Sequence, residues 1–341
     1  MIPRIALALA AAFVLFLAAG FLLPHSVQVE RSIEIERPPA TVHGLVDGFA
    51  TFPAWSPWME RDPDMQYSIS DPPTGVGARF AWRGDPRQVG AGEQVVVASI
   101  PYRTVEVRID SDQLGTALTR FDVERLAGGA RLTWRHETDL LQADGFINRI
   151  FARYFGLFYA RWVDRDLEQG LSRLARFAET LPVADFSGLR IERVAAAAED
   201  IVYLTAFEGR PGPSLEQDLA DAYRRLLSAM DAQGITRSGQ PLTITRATAA
   251  RWRVDAAVPA ELAGAVPEPP IRTGRSPSGS AVRVLHRGPY EDIAPAYGKI
   301  AAWLAVRGLG EGGVTWEQYL SDPLVTPPEE RETAVYVLLE E

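Results

Sequence analysis

Thr315-Trp316-Glu317-Gln318-Tyr319-Leu320-Ser321-Asp322-Pro323 is a short aromatic run with one carboxylate at its centre, and the fold of the second half of the chain follows from it. Aromatic and β-branched residues ended by Asp-Pro read as a strand, with Glu317 and Tyr319 on one face and Trp316 and Gln318 on the other. A Glu is out of place there unless something needs it. Counting back, Gly308 stands eight residues before Trp316, and Tyr297 eleven before Gly308. The same intervals separate Tyr223, Gly234 and Leu242 earlier in the chain. A strand–helix–strand–strand unit therefore occurs twice, and Thr243 holds in the first copy the position that Glu317 holds in the second.

The first copy reads as a strand over 201–207 and a helix with Leu219, Tyr223, Leu226, Leu227 and Met230 on one face. Ser214 and Gln217 have capping-box spacing at its start, and strands near 242–245 and 251–257 follow. The second copy reads as a strand over 281–286, a helix from about 293 to 306, and strands over 314–320 and 334–339. Val266-Pro267-Glu268-Pro269-Pro270 and Gly274-Arg275-Ser276-Pro277-Ser278-Gly279 make an exposed crossover between them. Residues 183–187 are small and polar, a linker to the preceding segment.

At 341 residues, 47% of them apolar and 23% charged, the chain suffices for two folded domains. A net charge of −9 argues against a nucleic-acid partner, which needs a basic face. The absence of Cys excludes disulfides, thiolate metal sites and Cys nucleophiles. The four His (His25, His43, His136, His286) lack metal-ligand spacing, so neither a metal nor a cofactor is expected.

Residues 5–23 form an uninterrupted apolar run between Arg4 and Pro24. Such a length spans a hydrocarbon core of ~30 Å at ~1.5 Å per residue. It is longer than a signal-peptide core and is followed by no convincing cleavage site. The expectation is an uncleaved single-pass anchor over 1–25, with the rest of the chain on the extracytoplasmic (periplasmic) side.

Between 27 and 182 the pattern begins as a strand, with Val27, Val29, Ile33 and Ile35 alternating with polar residues. Pro38-Pro39 ends it, and a short helix with Val42, Leu45, Val46 and Phe49 follows. Strand-like runs then occupy 78–82, 94–100, 104–110, 119–125 and 131–138, with Gly128-Gly129 turning the last hairpin. From 146 to 181 apolar residues recur every three or four positions, which predicts one long helix.

This order resembles the START-like superfamily of polyketide cyclases and lipid-transfer domains, SRPBCC. The residues that carry the likeness run from Val29-Glu30-Arg31-Ser32-Ile33 through Pro38-Pro39 to Phe52-Pro53-Ala54-Trp55-Ser56-Pro57-Trp58. The resemblance implies a sheet wrapped round the long helix and an apolar cavity lined by Trp55, Trp58, Phe80, Trp82, Phe121 and Trp134, against the plainer reading that these aromatics fill a core. A lone His136 beside Trp134 reads as structural.

Over 188–341, Arg287-Gly288-Pro289-Tyr290-Glu291, Trp316 to Pro323, Thr326-Pro327-Pro328-Glu329-Glu330 and Thr333-Ala334-Val335-Tyr336-Val337 resemble the GyrI-like effector-binding domain. The resemblance implies an α+β fold of two strand–helix–strand–strand units in one sheet, with a ligand groove at their junction and Glu317 as its signature carboxylate. Thr243-Ile244-Thr245-Arg246 departs from the family pattern, which often has an aromatic followed by Asp-Pro there. No helix-turn-helix precedes the domain, so a transcription factor is not indicated.

A carboxylate among aromatics in a partly dry groove attracts an organic cation through charge and ring faces. Tyr319, Tyr290 and Tyr336 are the candidate ring partners of Glu317. Alternatively, desolvation fits Glu317 to act as general base toward water, making the chain a hydrolase of strained electrophiles. The expected function is thus a membrane-anchored binder of small hydrophobic, amphipathic or cationic molecules. A hydrolase and a non-catalytic envelope scaffold are the alternatives.

Overall fold

The apolar run at the amino end forms helix α1 (Ile2–Leu22), and the expected transmembrane anchor is corrected here. In this computed structural model, which describes residues 2–112, 115–142, 145–210, 215–248, 251–262, 267–323 and 325–340, no helix among the described residues is long and apolar enough to cross a membrane. The single-pass extracytoplasmic placement rested on that anchor and goes with it. The physical reason is visible along the helix: a partner within the chain covers part of it. Phe16 stacks on Tyr154 at 4.3 Å and tilts against Phe151 at 5.3 Å. Tyr154 Oη donates to the Phe16 carbonyl at 2.8 Å, and Gly20 lets Ile150 approach where a Cβ would collide. An apolar run records that burial is favourable, not which surface supplies it.

The chain divides into two units, one comprising Met1–Ser187 with Val306–Gly308, the other Gly188–Ala305 with Leu309–Glu341. In the first, α1 leads into β1 (Ser26–Ile35) and the short helices α2 (Pro39–Val46), α3 (Phe52–Trp55) and α4 (Trp58–Arg61). Then come β2 (Gln66–Ile69), β3 (Arg79–Arg83), β4 (Ala91–Ile100), β5 (Thr104–Ser111), β6 (Gly115–Leu126), β7 (Gly129–Asp139) and the 34-residue α5 (Phe146–Glu179). The seven strands form an antiparallel sheet in the order β1-β7-β6-β5-β4-β3-β2. The first strand closes on the last because Val27 and Val29 face inward opposite Thr138 and His136. The apolar stripe of α5 (Ile150, Val163, Leu167, Leu171, Leu174) is buried. Inward and outward residues alternate most regularly along β7, whereas the short edge strand β2 has no buried residue.

The second unit contains β8 (Ile191–Ala196), β9 (Asp200–Gly209), α6 (Leu215–Ala232), β10 (Thr236–Arg237), β11 (Leu242–Ala247), β12 (Trp252–Glu261), β13 (Arg272–Arg275), β14 (Gly279–Arg287), α7 (Ala294–Ala305), β15 (Glu311–Tyr319) and β16 (Glu332–Leu339). Ser214, the expected cap of α6, and Val266 of the crossover lie outside the described residues. The sheet runs β13-β9-β12-β11-β15-β16-β14-β8, with β10 added beside β12, and every pairing is antiparallel. The strands of one repeat thus mirror those of the other about the β11–β15 contact. There Leu242 pairs with Gln318, Thr243 with Glu317 and Ile244 with Trp316, so the pseudo-twofold axis passes between Thr243 and Glu317.

Both helices stop alike. Gly234 (φ 67°) and Gly308 (φ 62°) take the left-handed conformation, and the amides of Ile235 and Leu309 bond the carbonyls of Met230 and Leu304 at 2.9 and 3.1 Å. Leu226 and Met230 of α6 pack on Val202, Ala256 and Val258, whereas Ile300 and Leu304 of α7 pack on Val284, Val335 and Val337. Part of the segment read as crossover instead forms β13, which pairs with β9 through Arg272↔Tyr203.

Candidate functional site

The face of β15 that carries Glu317 looks toward α6 and α7, and the two helices bring their equivalent tyrosines to it. Tyr297 of α7 donates its hydroxyl to Glu317 Oε1 at 3.0 Å. Tyr319, two residues along the same strand face, donates to Oε2 at 2.9 Å. The Tyr319 oxygen lies 2.7 Å from Thr243 Oγ1, which lies 3.1 Å from the Tyr223 hydroxyl of α6. Because Tyr319 gives its proton to the carboxylate, Thr243 must donate to Tyr319, and Tyr223 to Thr243. A chain of hydroxyls thus points from the first repeat into the acid of the second.

Burial raises the Glu317 carboxyl above the usual carboxylate range, opposed by the hydrogen bonds from Tyr319 and Tyr297 and the nearby His286. The same burial pushes Tyr223, Tyr297 and Tyr319 upward, so these phenols stay protonated and act as donors. The arrangement can hold one negative charge in a cage of rings. Tyr290 packs edge-on against Tyr319 at 5.1 Å, with the Arg331 guanidinium 5.2 Å from its own ring centre.

Of the residues predicted for this site, Glu317, Tyr319 and Tyr290 come together. Tyr336 does not join them: it pairs with Trp316 across β15–β16, stacks on its ring at 4.7 Å and donates to Gln318 Oε1, all on the opposite face of the sheet. Sequence reasoning noted the spacing of Tyr223 and Tyr297 but gave neither a role. Their identical distance from Gly234 and Gly308 was the available signal.

The first unit holds a second candidate, a cavity of ≈ 110 Å³ between its sheet and α5. Trp58, Phe80, Trp82 and Trp134 of the predicted set line it. Trp55, 1% exposed, packs behind them edge-on to Phe52 at 5.0 Å, and Phe121 lies 5.0 Å behind Trp134. Polar groups also reach the cavity: His136, read from the sequence as structural, and Tyr159 and Asp166, to which the sequence reading gave no role. His136 Nε2 lies 3.0 Å from the Tyr159 hydroxyl and its Nδ1 3.1 Å from Thr119 Oγ1. Burial lowers the imidazole to about 4 and pushes the phenol up to about 12, so both are neutral near pH 7. Asp166 forms an ion pair with Arg61 and accepts from Trp58 Nε1 at 3.3 Å. Its signal was its place as the single carboxylate in the stripe Val163, Leu167, Gly170, Leu171. Among the described residues no cluster of His, Asp and Glu could hold a metal ion.

Comparison with known proteins bears on both units. Residues 26–179 match the family model described as polyketide cyclase / dehydrase and lipid transport, and residues 241–340 match that of the GyrI-like small molecule binding domain. No curated protein matches the chain. Among solved structures, a hydrolase from Listeria innocua aligns at 16% identity and a TM-score of 0.31, over 44% of this chain and 92% of its own. The EcmrR C-terminal domain aligns at 17% identity and 0.37, over 45% and 99%. Protein CV1439 from Chromobacterium violaceum aligns at 15% and 0.33, over 46% and 99%. The chain thus joins an SRPBCC-type domain of the polyketide cyclase, dehydrase and lipid-transport family to a GyrI-like small-molecule-binding domain.

Proposed function

We propose that the second domain binds an organic cation at Glu317, as a site of sequestration or sensing, with the rings of Tyr319 and Tyr290 as walls. The observation that carries this reading is that both carboxylate oxygens are already held by phenol hydroxyls, from Tyr297 and Tyr319. A ligand therefore has no hydrogen bond it must supply, and among the described residues no ion pair engages the acid. A quaternary or otherwise delocalised cation, attracted by the charge and by ring faces, suits that arrangement. Each carboxylate oxygen keeps a second acceptor position open to a water, so hydrolysis with Glu317 as general base is the alternative reading.

The test is calorimetric titration of the full chain with benzyltrimethylammonium and with neopentylbenzene, its neutral isostere. The cation should bind at least tenfold more tightly. Equal affinity would remove the charge argument. Catalytic turnover of an electrophilic substrate that Glu317→Gln abolishes would replace binding by hydrolysis.

A further inference from the structure

From Ile5 to Leu23 the chain carries no charge, and a helix apolar on all sides belongs in an interior. Yet the contact of α1 with α5 covers only the side that presents Phe16 and Gly20. Eight of its described large apolar side chains, Leu15 and Leu22 among them, are 47–85% exposed.

Helix α5 adds a second uncovered surface. Besides the stripe it buries, its first half carries Ile147, Phe151, Phe155, Phe158 and Trp162, at intervals of four, four, three and four. That is the spacing of a seam between packed helices, but all five are 38–70% exposed. Phe151 meets Phe16 of α1 at 5.3 Å, so the seam and α1 form one continuous apolar face.

The size of this face decides what covers it. A half-exposed Phe or Leu leaves on the order of 100 Å² uncovered, so the fifteen exposed large side chains described on the two helices present roughly 1,500 Å². The largest apolar patch on a monomer measures about 300–600 Å². A standard interface takes about 800 Å² from each partner, whereas obligate homodimers bury about 2,000–5,000 Å² in total and are more apolar. Two copies of this face, roughly 3,000 Å² together, fall in the homodimer class.

Its chemistry also suits its own image. A twofold interface sets a patch against itself, so a charged patch would repel its copy. Here α1 offers no charge and the seam residues are apolar. Arg153 is engaged within the chain, donating to the carbonyls of Phe21 and Leu23 at the end of α1.

We infer that the face formed by α1 and the α5 seam is a homodimer interface, covered by the same face of a second copy of the chain.

Sedimentation equilibrium of the full chain at micromolar concentration, without detergent or lipid, tests this. The wild type should sediment at twice the chain mass. Leu15→Arg and Phe158→Arg change positions that are 69% and 70% exposed, so each should keep the wild-type circular dichroism. Each should weaken the dimer at least tenfold, because a charge would enter an apolar interface opposite its own copy. Leu285→Arg, at a position 53% exposed in the second domain, should leave the dimer intact. A monomeric wild type would overturn the assignment without recourse to any variant. So would a dimer that both α1 and α5 variants leave unchanged, or one that Leu285→Arg dissociates. Flotation of a monomeric chain with phosphatidylcholine vesicles, abolished by Leu15→Arg and Phe158→Arg, would also overturn it and assign the face to a lipid surface.

Discussion

Acidification should loosen the first domain through one residue, His136. It is 8% exposed, and its two ring nitrogens are held by Thr119 and Tyr159. Burial lowers its pKa from 6.5 to about 4. A group depressed in the folded state stabilises the fold fully above its unfolded pKa, and that stability is lost as pH falls through the folded value. The window is therefore 6.5 down to about 4, and the full gap is worth about 3 kcal/mol. Most of this, about 2–3 kcal/mol, should be lost between pH 7.5 and 4.5. The assay is hydrogen exchange of β7 and α5 peptides, converted to opening free energies, which reports the first domain without requiring the whole chain to unfold in one step. His136→Gln lacks the titration, so its opening free energy should fall less over the same range by about that amount. Parallel pH dependences in the two proteins would refute the argument, whatever their absolute stabilities.

Three further outcomes follow from the geometry. Gly170→Ala places a Cβ 2.6 Å from Cζ3 of Trp134 in the interior of α5. Overpacking of about 1–3 kcal/mol should outweigh the ~1 kcal/mol that Ala gains in a helix, and a higher melting temperature would contradict this. Asp166→Asn leaves Arg61 without its anion. Because the Arg61 side chain is 25% exposed, the cost should be about 1–3 kcal/mol, below that of a fully buried pair, and an unchanged urea midpoint for the first domain would contradict it. Tyr319→Phe removes the donor to Glu317 Oε2, so the carboxyl should rise further and cation binding should fail at a higher pH than in the wild type as the solution is acidified. An unmoved pH midpoint of binding would count against the hydroxyl chain.

Local periodicity carried much of this fold, and contacts between distant segments account for what it missed. The repeat was legible because Tyr223 and Tyr297, Gly234 and Gly308, and Thr243 and Glu317 keep equal intervals, and those intervals put Thr243 and Glu317 in direct register. That Tyr297 would bond Glu317 depended on how α7 settles on the sheet, which no spacing encodes. Tyr336 was placed with Glu317 by motif, but strand parity puts it with Trp316, and parity needs the β15–β16 register. The apolar run of α1 was read as lipid-facing because its composition does not say that Phe16 meets Tyr154. Asp166 was readable and missed: one acid on an otherwise apolar stripe is the same kind of signal that made Glu317 stand out.

The central claim is that the Glu317 carboxylate supplies the charge that holds a cation in the second domain. Opposite charges about 4 Å apart attract by about 4 kcal/mol at an effective dielectric of ~20. Loss of water by both ions reduces this to a net of about 1–3 kcal/mol, roughly 5- to 150-fold in affinity. The direct measurement is the dissociation constant of benzyltrimethylammonium at pH 8 for the wild type and for Glu317→Gln, each first shown to be folded by circular dichroism. The account expects affinity to fall by at least fivefold in the variant, with that of neopentylbenzene unchanged; equal cation affinity in the two proteins would contradict it.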